Sequence, residues 1–225
     1  MGAGFFENIL RSQNAIIAGI SNTLSASMLA IAISTIFGLL FGIILTYGNK
    51  YVKFPFRLYV DIIRGMPALL IVFAVYYYVD FWLRAWNVNL PPFTAGFIAL
   101  SLNAGAHVAE NTRGALETIP KGQIDAGRAI GMKFRQILRY ILLPQALVRM
   151  LPPWINIMTE IIKGSTLLSL IGVAELMLTT QQLIARYNDA LQYYAFAGFV
   201  YFAINITVEQ IGRFAEKKLS RGLSA

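Results

Sequence analysis

The chain has 225 residues, a formal net charge of +8 and no cysteine. Hydrophobic residues make up 57% of it and charged residues only 13%, whereas soluble domains carry about 45–50% and about 25%. This combination excludes a disordered or nucleic-acid-binding tail protein and argues against an ordinary soluble enzyme, so the composition indicates an integral membrane protein.

Five hydrophobic segments are predicted to cross the membrane as helices, each holding the roughly 20 residues that a span requires. In chain order they are residues 12–49, 58–83, a segment within 85–109, 151–172 and 190–208. The third is expected to begin at Pro91 and Pro92, which suit the first turn of a helix. The predicted fold is all-α, with residues 1–225 forming a single polytopic transmembrane domain.

The basic residues are distributed unequally between the two sides of these spans. Three lie in the first loop, seven in the third loop and four in the C-terminal tail, so fourteen of the 19 are on one side. Only Arg11, Arg84 and Arg186 lie on the other side, and Arg64 and Lys163 fall within spans. The positive-inside rule places the fourteen in the cytoplasm, with the N-terminus outside and the C-terminus inside. We therefore attribute the positive charge to topology and to contact with anionic lipid.

The third loop, residues 110–144, is too long for a simple connector. Its apolar residues Phe134, Ile137, Leu138 and Ile141 follow helical spacing. Residues 123–130 are predicted to form a short helix that ends at Gly131. The pattern alone fits a cytoplasmic knob and a helix pair lying on lipid equally well.

The residues of this loop resemble a known motif. Asp125-Ala126-Gly127-x-x-x-Gly131, followed by Ile141-x-Leu143-Pro144, is similar to the Glu-Ala-Ala-x-x-x-Gly and Ile-x-Leu-Pro pattern (the EAA motif) of ABC importer permeases. Aspartate replaces the glutamate and glycine the second alanine. Segments 64–67, 109–123, 163–167 and 172–176 resemble the polar amino-acid branch of that family, so the resemblance covers most of the chain.

The resemblance implies the transmembrane subunit of a type I importer in the bacterial inner membrane. In that family two permease subunits, identical or paralogous, form the pathway, and an extracytoplasmic binding protein delivers the substrate. Two ATPase subunits, which hold ATP and Mg, dock on the cytoplasmic loops. The docking element would contain Asp125, Ala126, Gly127, Arg128 and Gly131. The chain itself has no G-x-x-x-x-G-K-[ST] sequence, so we expect no enzymatic activity and no cofactor on it.

Charged residues inside spans are costly and often functional. We expect Arg64 to bind a substrate carboxylate bidentately, Glu160 to bind an ammonium group and Asp61 to orient Arg64. Met66, beside Pro67, is expected to break the second span and expose backbone groups to a cavity. Asn22 and Asn156 are candidates for the cavity lining. The acidic surplus favours arginine, lysine or histidine as substrate.

The same residues allow a simpler interpretation. Asp61 with Arg64, and Glu160 with Lys163, are each three residues apart and could form ion pairs that neutralise themselves. The asparagines could join helices through hydrogen bonds. A stand-alone secondary transporter or channel subunit without an ATPase is the alternative function, and a non-transporting membrane scaffold is a third.

Overall fold

The computed structural model describes the backbone of residues 2–221 and the side chains of residues 4–218. The side chain of Arg221, one of the four basic residues of the predicted tail, lies outside this part. Every regular element in the described range is helical. Helix α1 (Gly2–Arg11) precedes α2 (Gln13–Tyr47), and Ser12 separates them. At 1.5 Å per residue, the 35 residues of α2 extend about 52 Å, which exceeds a hydrocarbon core of about 30 Å.

The predicted second span is two helices rather than one. Helix α3 (Lys50–Gly65) ends before Pro67, and a rod then follows, built from α4 (Ala68–Phe73), a π-helical turn (Ala74–Val79) and α5 (Asp80–Arg84). The axes of α3 and the rod differ by 114°. Because a residue before proline avoids the helical conformation, Met66 is extended, with φ −102° and ψ 142°. The expected break at Met66 is present, and the predicted second span corresponds to a bent helix pair, Lys50–Gly65 with Ala68–Arg84.

Helix α6 (Pro92–Glu117) occupies the centre of the bundle and starts at Pro92, next to the position predicted. It packs closely against α2 through small residues. A Cβ atom added to Gly38 or Gly42 of α2 would overlap Val108 or Thr112 of α6. Together with α4, with a later helix (Leu143–Gly164) and with the 3-10 segment that follows it (Ser165–Ile171), these helices enclose the largest apolar core cluster.

The C-terminal half begins with two short helices, α7 (Gly122–Ala129) and α8 (Phe134–Ile137). A π-helical turn (Leu138–Leu142), α9 (Leu143–Gly164), a 3-10 segment (Ser165–Ile171), α10 (Leu176–Tyr187) and α11 (Ala190–Arg221) follow. By length and composition, Gln13–Tyr47 and Ala190–Lys218 can cross a membrane, and two bent helix pairs raise the number of candidate spans to four within residues 2–221. Five spans therefore remain a prediction.

Candidate functional site

A cavity of about 410 Å³ lies between α6 and α9. Its polar lining consists of Asn103 and His107 from α6 and of Glu160 and Lys163 from α9. The ammonium Nζ of Lys163 lies 3.0 Å from Oε1 of Glu160, so the expected ion pair between these residues is confirmed. The Glu160 side chain nevertheless remains 75% exposed. Its carboxylate thus has room to accept a second cation.

Helical periodicity explains why the polar groups converge. Asn156, Glu160 and Lys163 are spaced i, i+4 and i+7 and form one exposed stripe on α9. Asn103 and His107 are spaced i and i+4 on α6 and face the same cavity. Polar side chains from both helices therefore line the same cavity.

Glu110 forms the centre of an ion-pair cluster, one turn beyond His107 on α6. Its carboxylate lies 2.6 Å from the guanidinium of Arg113, 3.2 Å from that of Arg57 and 3.8 Å from that of Arg64. Arg57 also binds Asp61 at 2.9 Å. These contacts join α3 to α6 beside the cavity.

Asp61 does not contact Arg64, so both the expectation that it orients Arg64 and the simpler interpretation of an ion pair between them are wrong. Asp61 instead binds Arg57, four residues earlier on α3, and Arg64 is directed towards Glu110 on another helix. Spacing along α3 allows either partner for Asp61, but the carboxylate of Glu110 is supplied by tertiary packing. Arg64 is 40% exposed, and the 3.8 Å separation leaves its guanidinium only loosely held.

The other predicted site residues occupy different places. Glu160 lines the cavity together with His107, whereas Arg64 is not among the residues that line it. Met66 is 36% exposed at the break between α3 and α4. The Asn22 amide donates to the carbonyl of Ala174 at 2.8 Å, a contact between helix α2 and the segment before α10. Asn156 is exposed on α9, one turn before Glu160.

Helix α7 ends as the sequence predicts. Gly131 adopts a left-handed conformation with φ +80°. Its N–H donates to the carbonyl of Arg128 at 2.9 Å, and the N–H of Met132 donates to the carbonyl of Gly127 at 3.0 Å. This pair of hydrogen bonds is the Schellman motif, which favours glycine at this position because a Cβ atom opposes positive φ. The chain then turns sharply into α8.

The two faces of α7 differ in what they contact. Gly127 is buried, and a Cβ atom on it would lie 2.8 Å from Cγ1 of Ile137. Asp125, Ala126 and Arg128 are exposed on the other side. Ile130, at the end of the helix, is 78% exposed.

Glu175 is a structural residue that our reasoning from sequence did not single out. It is completely buried and caps α10, accepting hydrogen bonds from the N–H groups of Met177 and Leu178 at 2.9 and 2.8 Å. It also accepts one from the Tyr201 hydroxyl of α11 at 2.6 Å. The sequence carried little signal for this cap, because the residues typical of an N-cap are serine, threonine, aspartate and asparagine rather than glutamate.

Comparison with known proteins agrees with this architecture. The family described as the inner membrane component of binding-protein-dependent transport systems matches residues 34–221. The glutamine transport system permease protein GlnP of Escherichia coli strain K12 is 35% identical over 205 residues, which cover 91% of this chain and 92% of that protein. The L-cystine transport system permease protein TcyB of Bacillus subtilis strain 168 is 36% identical over 84% of this chain and 81% of its own length.

A solved structure resembles the whole chain. The crystal structure of an amino acid ABC transporter with histidines contains a chain of 28% identity that superposes with a TM-score of 0.83, covering 95% of this chain and 98% of that one. The family match spans more than half of the sequence, and relatives above 30% identity match it nearly end to end. The chain therefore belongs to the family of inner-membrane components of binding-protein-dependent transport systems, as an ABC transporter permease subunit rather than an enzyme.

Proposed function

We propose that this chain, paired with an identical or paralogous permease subunit, forms the translocation pathway of an importer for polar amino acids. The observation that carries the proposal is the cavity between α6 and α9, where the exposed carboxylate of Glu160 lies beside Asn103 and His107. Relatives named for glutamine, cystine and arginine transport support the substrate class. An extracytoplasmic binding protein would supply the substrate.

The proposed topology has five spans, with the N-terminus outside and the C-terminus inside. They are α2, the rod of α4 and α5, α6, α9 and α11. Helix α6 has 26 residues and extends about 39 Å, enough to cross the bilayer. Helix α3 then lies in the cytoplasmic half, which is consistent with its four basic residues, Lys50, Lys53, Arg57 and Arg64. Residues 1–225 act as one transmembrane domain, of which residues 110–144 form the cytoplasmic coupling loop.

In the proposed substrate site, Glu160 binds a cationic group and Arg64 binds the α-carboxylate. Lys163 pairs with the Glu160 carboxylate, and a substrate cation competes with Lys163 for it. Asn156 extends the polar stripe of α9. The chain break at Met66 leaves backbone polar groups near Arg64 available to the substrate. Asp61 influences the site indirectly, through its ion pair with Arg57 in the Glu110 cluster. Asn22 also has an indirect role, through its hydrogen bond to the segment before α10. A carboxylate on the cavity wall favours arginine, lysine or histidine over neutral amino acids.

Coupling is proposed to run through α7. Asp125, Ala126, Arg128 and the exposed Ile130 would contact a groove on the ATPase, which holds ATP and Mg. Gly127 would allow α7 to pack closely against Ile137, and Gly131 would end the helix in a left-handed turn. Since α8 continues through a π-helical turn into α9, a force applied to α7 has a direct route to Glu160.

Reconstitution with the ATPase subunits and the binding protein separates this proposal from a stand-alone transporter. We expect binding protein with amino acid to stimulate ATP hydrolysis in the vesicles. Unchanged hydrolysis, together with uptake that follows an ion gradient, would establish the stand-alone alternative instead.

A single carboxylate tests the substrate preference. In the same vesicles, Glu160→Gln is expected to reduce arginine uptake at least tenfold and glutamine uptake much less, because the amide lacks the charge that binds a guanidinium. Glu209→Gln is the matched control, since Glu209 lies on α11, outside the cavity lining, and pairs with Arg213. Equal retention of arginine and glutamine uptake in Glu160→Gln would refute the preference.

A further inference from the structure

A second cavity, of about 500 Å³, lies between α2, α3 and α6. It is lined by apolar and aromatic side chains, among them Phe37, Phe41, Phe56, Ile98 and Leu102. The two hydroxyl groups in its lining are already engaged. Tyr59 donates to the carbonyl of Leu102 at 2.6 Å, and Ser101 donates to that of Phe97 at 2.6 Å. The groove therefore offers a ligand apolar contact and little hydrogen bonding.

The groove and the proposed substrate cavity lie on opposite faces of α6. With 3.6 residues per turn, each residue rotates by about 100°, so His107, nine residues after Ile98, is rotated by about 180° from it. Ile98 lines the groove and His107 lines the substrate cavity. A second permease subunit that shares the substrate pathway would cover the His107 face and leave the groove facing lipid.

Positive charge lies beyond one end of the groove. Thr46 is five residues after Phe41 on α2, about 7.5 Å further along the axis, and its carbonyl accepts a hydrogen bond from Nζ of Lys53 at 2.8 Å. Neither Lys50 nor Lys53 forms an ion pair with a carboxylate in the described part of the chain. These two ammonium groups are thus available to an anionic group at the membrane surface.

The outer side of α3 continues the apolar surface of the groove. Tyr51, Phe54 and Leu58 are 88%, 68% and 49% exposed, while the charged residues Lys53, Arg57 and Asp61 recur at intervals of four along the same helix. An amphipathic helix of this kind lies in the membrane interface with its apolar side in the acyl region. Phospholipid is therefore the neighbour that this surface requires.

We propose that the groove binds one acyl chain of an anionic phospholipid from the cytoplasmic leaflet, with the lipid phosphate held by Lys50 and Lys53. Along α2 the groove extends from Ile33 to Phe41, about 12 Å at 1.5 Å per residue, so it can hold the part of a chain nearest the headgroup. Basic side chains next to the hydrocarbon attract anionic headgroups at this depth. The assignment of the leaflet rests on the proposed topology, but the binding of the lipid does not.

Native mass spectrometry of the purified transporter, with phosphatidylglycerol or phosphatidylcholine added, tests the proposal. We expect one phosphatidylglycerol retained per permease subunit. Leu102→Trp fills the groove and is expected to reduce its occupancy at least tenfold. Phe199→Trp, on a 69% exposed position of α11, is the matched control and is expected to retain the lipid. Replacing both Lys50 and Lys53 with Gln is expected to abolish the preference for phosphatidylglycerol over phosphatidylcholine.

A measurement on the unaltered chain guards against misfolding of the variants. Phosphatidylglycerol with a photoactivatable acyl chain is expected to label peptides containing residues 33–41 and 98–102. Labelling spread evenly over α11 and the groove, absence of retained lipid, or equal retention in Leu102→Trp would overturn the proposal. Amino-acid uptake by the same preparation is scored separately, so failure of lipid binding and failure of the proposed transport function are distinguishable.

Discussion

At the scale of single residues, the buried carboxylate of Glu175 joins three helices. It caps α10 and binds Tyr201 of α11, and Thr23 of α2 donates to it at 3.4 Å. Glu175→Ala leaves these donors without an acceptor, and each buried unsatisfied group costs about 1–3 kcal/mol. We expect the free energy of unfolding to fall by about 3 kcal/mol or more. Glu175→Gln, which keeps one acceptor oxygen, is expected to lose less.

Thermal unfolding of the purified chain in detergent measures both Glu175 variants. The matched control is Glu209→Ala on α11, because Glu209 is 42% exposed and, among the described side chains, forms its ion pair with Arg213. Exposed pairs of this kind contribute roughly 0–1 kcal/mol, so its melting temperature should stay close to that of the parent. A melting temperature for Glu175→Ala equal to that of the control would show that the buried network contributes little.

Glu110 is the second residue with a testable structural role, because it attaches α3 to α6. In Glu110→Gln, Arg57 keeps Asp61 and Arg113 keeps Glu117, but Arg64 has no remaining carboxylate among its contacts. The three arginines are 28–46% exposed, so solvent screening limits the loss to about 1 kcal/mol. We expect the amides of α3 to exchange hydrogen about fivefold faster, because local opening becomes less costly.

Hydrogen–deuterium exchange read by mass spectrometry resolves this effect. Glu117→Gln is the appropriate comparison, since Glu117 binds Arg113 on its own helix and leaves the contacts of α3 intact. Its α3 amides should exchange at the parental rate. If both variants exchange alike, α3 is held by its apolar contacts with Phe41 and Ala106 rather than by the ion pairs.

At the scale of elements, α7 depends on one close contact. The Cβ atom of Gly127→Ala would lie 2.8 Å from Cγ1 and 3.0 Å from Cδ1 of the fully buried Ile137. Overpacking of this kind costs about 1–3 kcal/mol and would displace α7 from α8. We expect weaker binding of the ATPase subunit, measured by co-purification, and lower ATP-driven uptake.

The same helix supplies the control for Gly127. A Cβ atom at Gly122, the first residue of α7, meets nothing within 4 Å. Gly122→Ala should therefore leave ATPase binding unchanged or improve it slightly through higher helix propensity. The double variant Gly127→Ala with Ile137→Ala should recover part of the lost binding. Weak binding in Gly122→Ala as well would assign the effect to the N-terminus of α7 instead.

Features set by neighbours in sequence were predictable, and those set by packing were not. Gly131 ends α7 and Pro67 breaks the chain at Met66 because both effects are local to the backbone. Glu160 and Lys163 pair because they are one turn apart. The direction of the chain after Met66 and the attraction of Arg64 to Glu110 both depend on contacts with α6. The spacing of residues along α3 carries no information about those contacts. For this reason, hydropathy alone predicted the end of α3 and the following rod as one span.

At the scale of the whole molecule, the uneven distribution of basic residues and the order of the helices predict the same topology. Fourteen of 19 basic residues fall in three segments that alternate with the proposed spans. An odd number of spans requires the two ends of the chain to lie on opposite sides. The topology can be tested by cysteine labelling, because the chain has no cysteine and any introduced thiol is the only one in it.

We predict the labelling pattern of four single-cysteine variants in right-side-out membrane vesicles. Gly4→Cys, where a Cβ atom meets nothing, and Asn89→Cys, in the loop before α6, should react with an impermeant maleimide from outside. Arg135→Cys in α8 and Lys218→Cys near the end of α11 should react only after permeabilisation. The cysteine-free parent reports background. Labelling of residues 4 and 218 from the same side would require an even number of spans, and reactive Arg135→Cys in intact vesicles would place α7 where no ATPase can reach it.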